Sequence, residues 1–121
     1  MKKKAIINRI VRIAETNGWS VNYSSRYSEP GNLDFDFSKF TKFGQDFTVS
    51  GILKGNDPST LIKDLREGYE AFDPDEEAML WIGPDGHGKN GAPYRIADIV
   101  KDMEDAEDMY GDLVVALENE F

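Results

Sequence analysis

The residues whose types could do chemistry gather in two places. The first is the segment Gly83-Pro84-Asp85-Gly86-His87-Gly88-Lys89-Asn90-Gly91-Ala92-Pro93-Tyr94. Glycines let backbone N–H groups approach a phosphate closely, and two spacings associated with that use overlap here. Gly86-x-Gly88-x-x-Gly91 has the dinucleotide spacing, and Gly83-x-x-x-x-Gly88-Lys89 has that of a phosphate loop up to its last residue. That last residue is Asn90, where magnesium would need Ser or Thr, and Ala92-Pro93 delays the helix that should begin at the lysine. Only about thirty residues follow, too few to complete a nucleotide-binding sheet. As a ligand loop, the segment would offer His87, Lys89, Asn90 and Tyr94. His87 is the single imidazole, with Asp85 two residues away as the group that could orient it for general-base work.

The second place is the last segment, where Asp98, Asp102, Glu104, Asp105, Glu107, Asp108 and Asp112 are offset only by Lys101. On a helix, the pairs Asp98–Asp102, Glu104–Asp108 and Asp108–Asp112 face each other and repel by a few tenths of a kcal/mol each. A surface built for solubility alone can interleave lysines. Carrying the repulsion instead points to a basic partner, and such a row can imitate a phosphate backbone inside a nucleic-acid channel. Asp98, Asp102, Glu104, Asp105, Asp108 and Asp112 are therefore the expected partner-binding residues.

Other carboxylates explain themselves locally. A calcium loop opening at Asp73 would need Gly where Ala78 stands and Glu where Pro84 stands. Asp34 and Asp36 share the polar face of a strand. With no Cys and one His, disulfides, thiolate sites and two-imidazole metal sites are excluded. No metal and no cofactor is expected.

Charge is unevenly placed. The 121-residue chain has a net charge of −9. Residues 1–56 hold nine basic and five acidic side chains, +4, and residues 57–121 hold five basic and eighteen acidic, −13. This balance disfavours direct nucleic-acid binding. Met1-Lys2-Lys3-Lys4 starts like a signal peptide, but no apolar stretch of membrane-span length follows, so a soluble cytoplasmic protein without membrane contact is expected.

The positioning elements follow from periodicity. Ile6, Ile7, Ile10, Ile13 and Ala14 mark a first helix stopped by Asn17-Gly18. Three alternating runs, Trp19–Tyr23, Leu33–Phe37 and Phe47–Leu53, predict an antiparallel meander with a bulge or hairpin turn through Lys42-Phe43-Gly44. Phe35, Phe37, Phe40, Phe43 and Phe47 are expected in the core. A polar stretch from Ser24 to Gly31 is expected to turn at Glu29-Pro30-Gly31. Asp57-Pro58 opens a helix carrying Leu61, Ile62, Leu65, Tyr69 and Phe72, and Asp73-Pro74 repeats the start signal. A short helical turn through Ala78-Met79-Leu80 is expected, with a strand through Met79 to Ile82 as the alternative. Ile96 to Leu117 keeps one apolar face over about six turns, with Gly111 inside it at a cost of about 1 kcal/mol relative to Ala. The expectation is one α+β domain over residues 1–121. Its order is α-β-β-β-α-(short α)-α, with helices on one face of a three-stranded sheet.

The α-β-β-β-α order resembles a double-stranded-RNA-binding domain. That family opens its second helix with a basic cluster, whereas Asp57-Pro58-Ser59-Thr60-Leu61-Ile62-Lys63-Asp64 holds one Lys and two Asp. In topology and charge the chain also resembles small acidic phage and mobile-element accessory proteins, including DNA-mimicking anti-CRISPR inhibitors. This resemblance implies a non-catalytic inhibitor of a basic, nucleic-acid-handling protein. Two other readings stand beside it. One is a small ligand-binding domain or enzyme using Gly83–Tyr94. The other is a homo-oligomer, pairing the apolar stripes Ile6–Ile13 and Ile96–Leu117 between chains or the basic first helix with the acidic last one.

Overall fold

The computed structural model describes residues 2–25 and 29–121. Its elements are α1 (Lys3–Thr16), β1 (Ser20–Ser25), β2 (Leu33–Phe40), β3 (Asp46–Leu53), α2 (Pro58–Ala71), α3 (Pro74–Met79) and α4 (Ile96–Glu120). The order and the α+β class are those predicted from periodicity. Residues 26–28, within the expected turn of Ser24 to Gly31, lie outside the described residues.

Local signals set the boundaries. Ile6, Ile10 and Ala14 are the buried stripe of α1, and Gly18 at φ +87° ends it. Asp57 accepts from Ser59 N at 3.1 Å and Asp73 from Asp75 N at 3.0 Å, each just ahead of a proline that starts a helix. The second start signal makes α3 a short helix from Pro74, and Ala78 to Leu80 form its end. Of the alternative strand, only Ile82 is realised, in a single bridge to Gly88.

The sheet runs β1-β2-β3, antiparallel throughout. Val21 stands opposite Phe37, Tyr23 opposite Phe35, and Phe37 opposite Val49. Period-two alternation therefore puts Phe35, Phe37, Phe47, Val49 and Leu53 on one buried face. The other face carries Asn22, Ser24, Asp36, Thr48 and Ser50 and is exposed. Phe40 and Phe43 depart from expectation, at 69% and 51% exposure. Phe40 has the parity of Asp36 and Ser38 and so points away from the core. Phe43 sits in the turn between β2 and β3, beyond the paired strands, and keeps half its surface in solvent.

The helices cover the apolar face, and α4 is their common partner, packing against α1, α2 and α3. One joint is reciprocal. A Cβ on Gly68 of α2 would fall well inside contact distance of Tyr110 Oη, and one on Gly111 of α4 would stand 2.9 Å from the Tyr69 ring. Each helix thus offers a glycine to the other's tyrosine, and the two rings meet edge-on at 5.6 Å. The helix-propensity cost of Gly111 is the condition for this approach.

The stripes assigned to pairing between chains are consumed within one. Ile6 and Ile10 of α1, and Ile99, Met103, Leu113 and Leu117 of α4, are all buried. Basic α1 and acidic α4 attract in the same chain, where Arg9 reaches Glu120 at 3.7 Å and lies over the Phe121 ring.

Candidate functional site

The acidic helix divides into carboxylates that hold the fold and carboxylates that do not. Asp102 is 1% exposed and belongs to the first group. Its Oδ2 accepts from Thr41 Oγ1 at 2.5 Å and its Oδ1 from Phe43 N at 3.2 Å. Asp105 accepts from Lys42 N at 3.2 Å. Together they clasp the β2–β3 turn, which closes on itself through Thr41 N to Gln45 O at 2.9 Å. Asp102 is therefore corrected from a partner-binding residue to a buried structural one. A carboxylate there satisfies a hydroxyl and an N–H that the turn would otherwise bury unpaired. Asp105 is half-buried and shares that duty, and Asp98 is half-buried in the first turn of α4, where the helix dipole favours it.

Glu104, Asp108 and Asp112 remain at the surface. All three are exposed, and among the described residues no cation or hydrogen-bond donor reaches them. They stand four residues apart, so they form a row at about 6 Å per step along one side of α4. Two acidic side chains near the row are occupied. Glu118 takes Arg66 through Nε at 3.2 Å and through Nη2, and Asp64 accepts from Ile52 N at 2.9 Å.

Two members of the row lie in a trough of about 730 Å³ between the end of α1 and α2. Its floor is α4, with Asp108, Asp112 and Val115, and its walls include Asn17, Arg66 and Tyr69. Val115 is 47% exposed, an apolar spot beside the two carboxylates. Arg66 is committed to Glu118 and leaves their charge uncancelled. Val115 lies off the buried stripe, and that displacement was the sequence signal for the trough. Tyr69 and Arg66 gave no such signal, because their place over α4 depends on Gly111.

The glycine loop is built differently from a phosphate loop. Gly83 N donates to His87 O at 2.7 Å, Gly86 N to Gly83 O at 3.0 Å, Gly88 N to Tyr94 O at 3.2 Å, Lys89 N to Trp81 O at 2.9 Å and Ala92 N to Lys89 O at 3.0 Å. The N–H groups a phosphate would need are thus engaged in folding the loop. Gly86 and Gly91 supply positive φ, and a Cβ on Gly88 would collide with the Pro93 carbonyl. Asp85 accepts from His87 N at 3.1 Å, a turn-forming bond to the backbone. The His87 ring stacks on Tyr94 at 3.9 Å. Lys89 and Asn90 are exposed, Asn90 at φ +54°.

Among the described residues no cluster of three or more His, Asp or Glu could hold a metal ion, and no helix is long and apolar enough to cross a membrane. Comparison of the chain with family profiles, curated proteins and solved structures finds no match.

Proposed function

We propose that this protein is a non-catalytic acidic binding module that engages a basic segment of a partner protein along α4. The observation that carries the reading is the row Glu104, Asp108 and Asp112, exposed, unpaired among the described residues and spaced one helical turn apart. A complementary segment has Lys or Arg at matching intervals and an apolar side chain for Val115. Charge spacing bears on how literal a nucleic-acid mimic this is. The row places one charge per about 6 Å, against one per about 3.4 Å on a single nucleic-acid strand. A discrete basic segment fits that density better than a long phosphate-binding channel does. In its narrower form the reading is a cytoplasmic inhibitor, of phage or mobile-element type, whose target handles nucleic acid. The glycine loop supports a ligand-binding reading less well, because most of its donors are already used.

The test is affinity capture from bacterial lysate at low and high salt, comparing wild type with the triple variant Glu104→Gln, Asp108→Asn and Asp112→Asn. The expected result is a basic partner retained by wild type at low salt, released at high salt and missed by the variant. The variant should melt at or slightly above the wild-type temperature, since two repulsive pairs of a few tenths of a kcal/mol each are relieved. A partner held equally by the variant would refute the assignment.

A further inference from the structure

We infer that the free edge of the sheet is a second binding site, taking an extended basic peptide as a fourth strand beside β1. The sheet order leaves β1 at an edge, and its other side pairs with no strand among the described residues. Five of its six residues, Ser20 and Asn22 to Ser25, are exposed. Natural edges are blunted by charge, proline or a bulge. Ser20-Val21-Asn22-Tyr23-Ser24-Ser25 carries neither charge nor proline, and its pairing with β2 runs in unbroken register from Ser20–Ser38 to Ser25–Leu33. A regular, unprotected ladder of this length can hydrogen-bond an added strand.

The charge of the outer face selects the occupant. The outward residues of the three strands include Asp36 and Asp46 and no Lys or Arg. Asp36 stands opposite Asn22 in register. An added residue beside Asn22 lies two strand spacings from Asp36, about 10 Å between backbones, which an extended Lys or Arg spans over the short Asn22 side chain. A second copy of the chain would bring a like face and a like net charge of −9, so a basic peptide is favoured over self-pairing. Lys or Arg at every second position would place all the cations on the acidic side. The exposed Tyr23, stacked on Phe35 at 5.4 Å, offers apolar contact on the other side.

The probe is a fluorescein-labelled peptide of alternating Lys and Val, with a Glu-Val control of equal length. Binding is read by anisotropy and located by amide chemical shifts on the full chain. The expected result is binding of the Lys peptide and not of the Glu peptide, with shifts and slowed exchange at residues 20–25 that persist in the triple variant Glu104→Gln, Asp108→Asn and Asp112→Asn. Asp36→Asn should weaken it by about two- to fivefold, the scale of an exposed ion pair. Asn22→Lys should weaken it more and leave the melting temperature unchanged. Shifts confined to α4, equal binding of the Glu peptide, no binding at millimolar peptide, or self-association through residues 20–25 would each overturn the inference. Because the two surfaces are mapped separately, loss of one leaves the other standing.

Discussion

Gly68→Ala is expected to destabilise the protein even though the position is helical and exposed. On an ordinary exposed helix, replacing Gly with Ala stabilises by about 1 kcal/mol. Here the added methyl falls inside contact distance of Tyr110 Oη, while Tyr110 Cζ stands at 3.4 Å. The tyrosine cannot easily swing away, because Phe47, Phe72 and Tyr69 hold its ring at 6.2, 6.3 and 5.6 Å. Overpacking of this kind costs about 1–3 kcal/mol, which leaves a net loss of about 1 kcal/mol. In a Tyr110→Phe background the offending oxygen is gone and the nearest remaining atom is at ordinary contact. There Gly68→Ala should stabilise by about 1 kcal/mol, so the effect changes sign and the coupling is about 2 kcal/mol. Urea unfolding at constant m reads both values, and each kcal/mol moves the melting temperature by about 4 °C. If alanine stabilises the protein in both backgrounds, the interlocked packing of α2 and α4 is refuted.

Three further outcomes follow from the same structure. Asp102→Ala should cost about 2–4 kcal/mol by stranding Thr41 Oγ1 and Phe43 N, while Asp112→Asn stays within about 0.5 kcal/mol; equal thermal shifts would contradict the division of the acidic helix. Burial, with the charge of Asp64 behind it, pushes the Tyr110 hydroxyl up to about 12. The unfolded chain releases this proton near pH 10 while the fold retains it, so stability should fall as pH rises from about 10 to 12. Tyr110→Phe should flatten that slope in urea titrations, and an unchanged slope would refute the assignment. Gly88→Ala should open the loop from Trp81 to Tyr94, seen as faster amide exchange at Lys89 with α4 protection unchanged.

The architecture was legible because each element repeats its signal. Leu33, Phe35 and Phe37 alternate, Leu61 and Leu65 recur at helical spacing, and both Asp-Pro pairs cap as their chemistry requires. Phe40 is apolar but lies beyond the alternation, and its parity, shared with Asp36 and Ser38, places it outward. Asp102 departs from expectation for a different reason. Its helical position lies at the border of the buried stripe, between Ile99 and Ala106, but nothing local says that a turn sixty residues earlier will bury donors against it. Long-range satisfaction of backbone N–H groups leaves no periodic trace. The glycine loop shows the same limit, since phosphate cradles and self-bonded turns both need residues that tolerate close approach and positive φ. The trough needed the crossing of α2 over α4, which two Gly-Tyr neighbours set and no spacing announces.

Because α4 touches every other helix and reaches back to Arg9, the order of synthesis acquires a cost. The sheet and the first three helices emerge from the ribosome before the element that covers them. Until residues near Leu113 and Leu117 arrive, Phe47 and the apolar sides of α1 and α2 lack their shared neighbour, and β1 offers an open rim beside them. The nascent chain is thus most adhesive just before α4 is made. A stop placed ahead of Leu113 should yield insoluble fragments in place of a smaller folded unit.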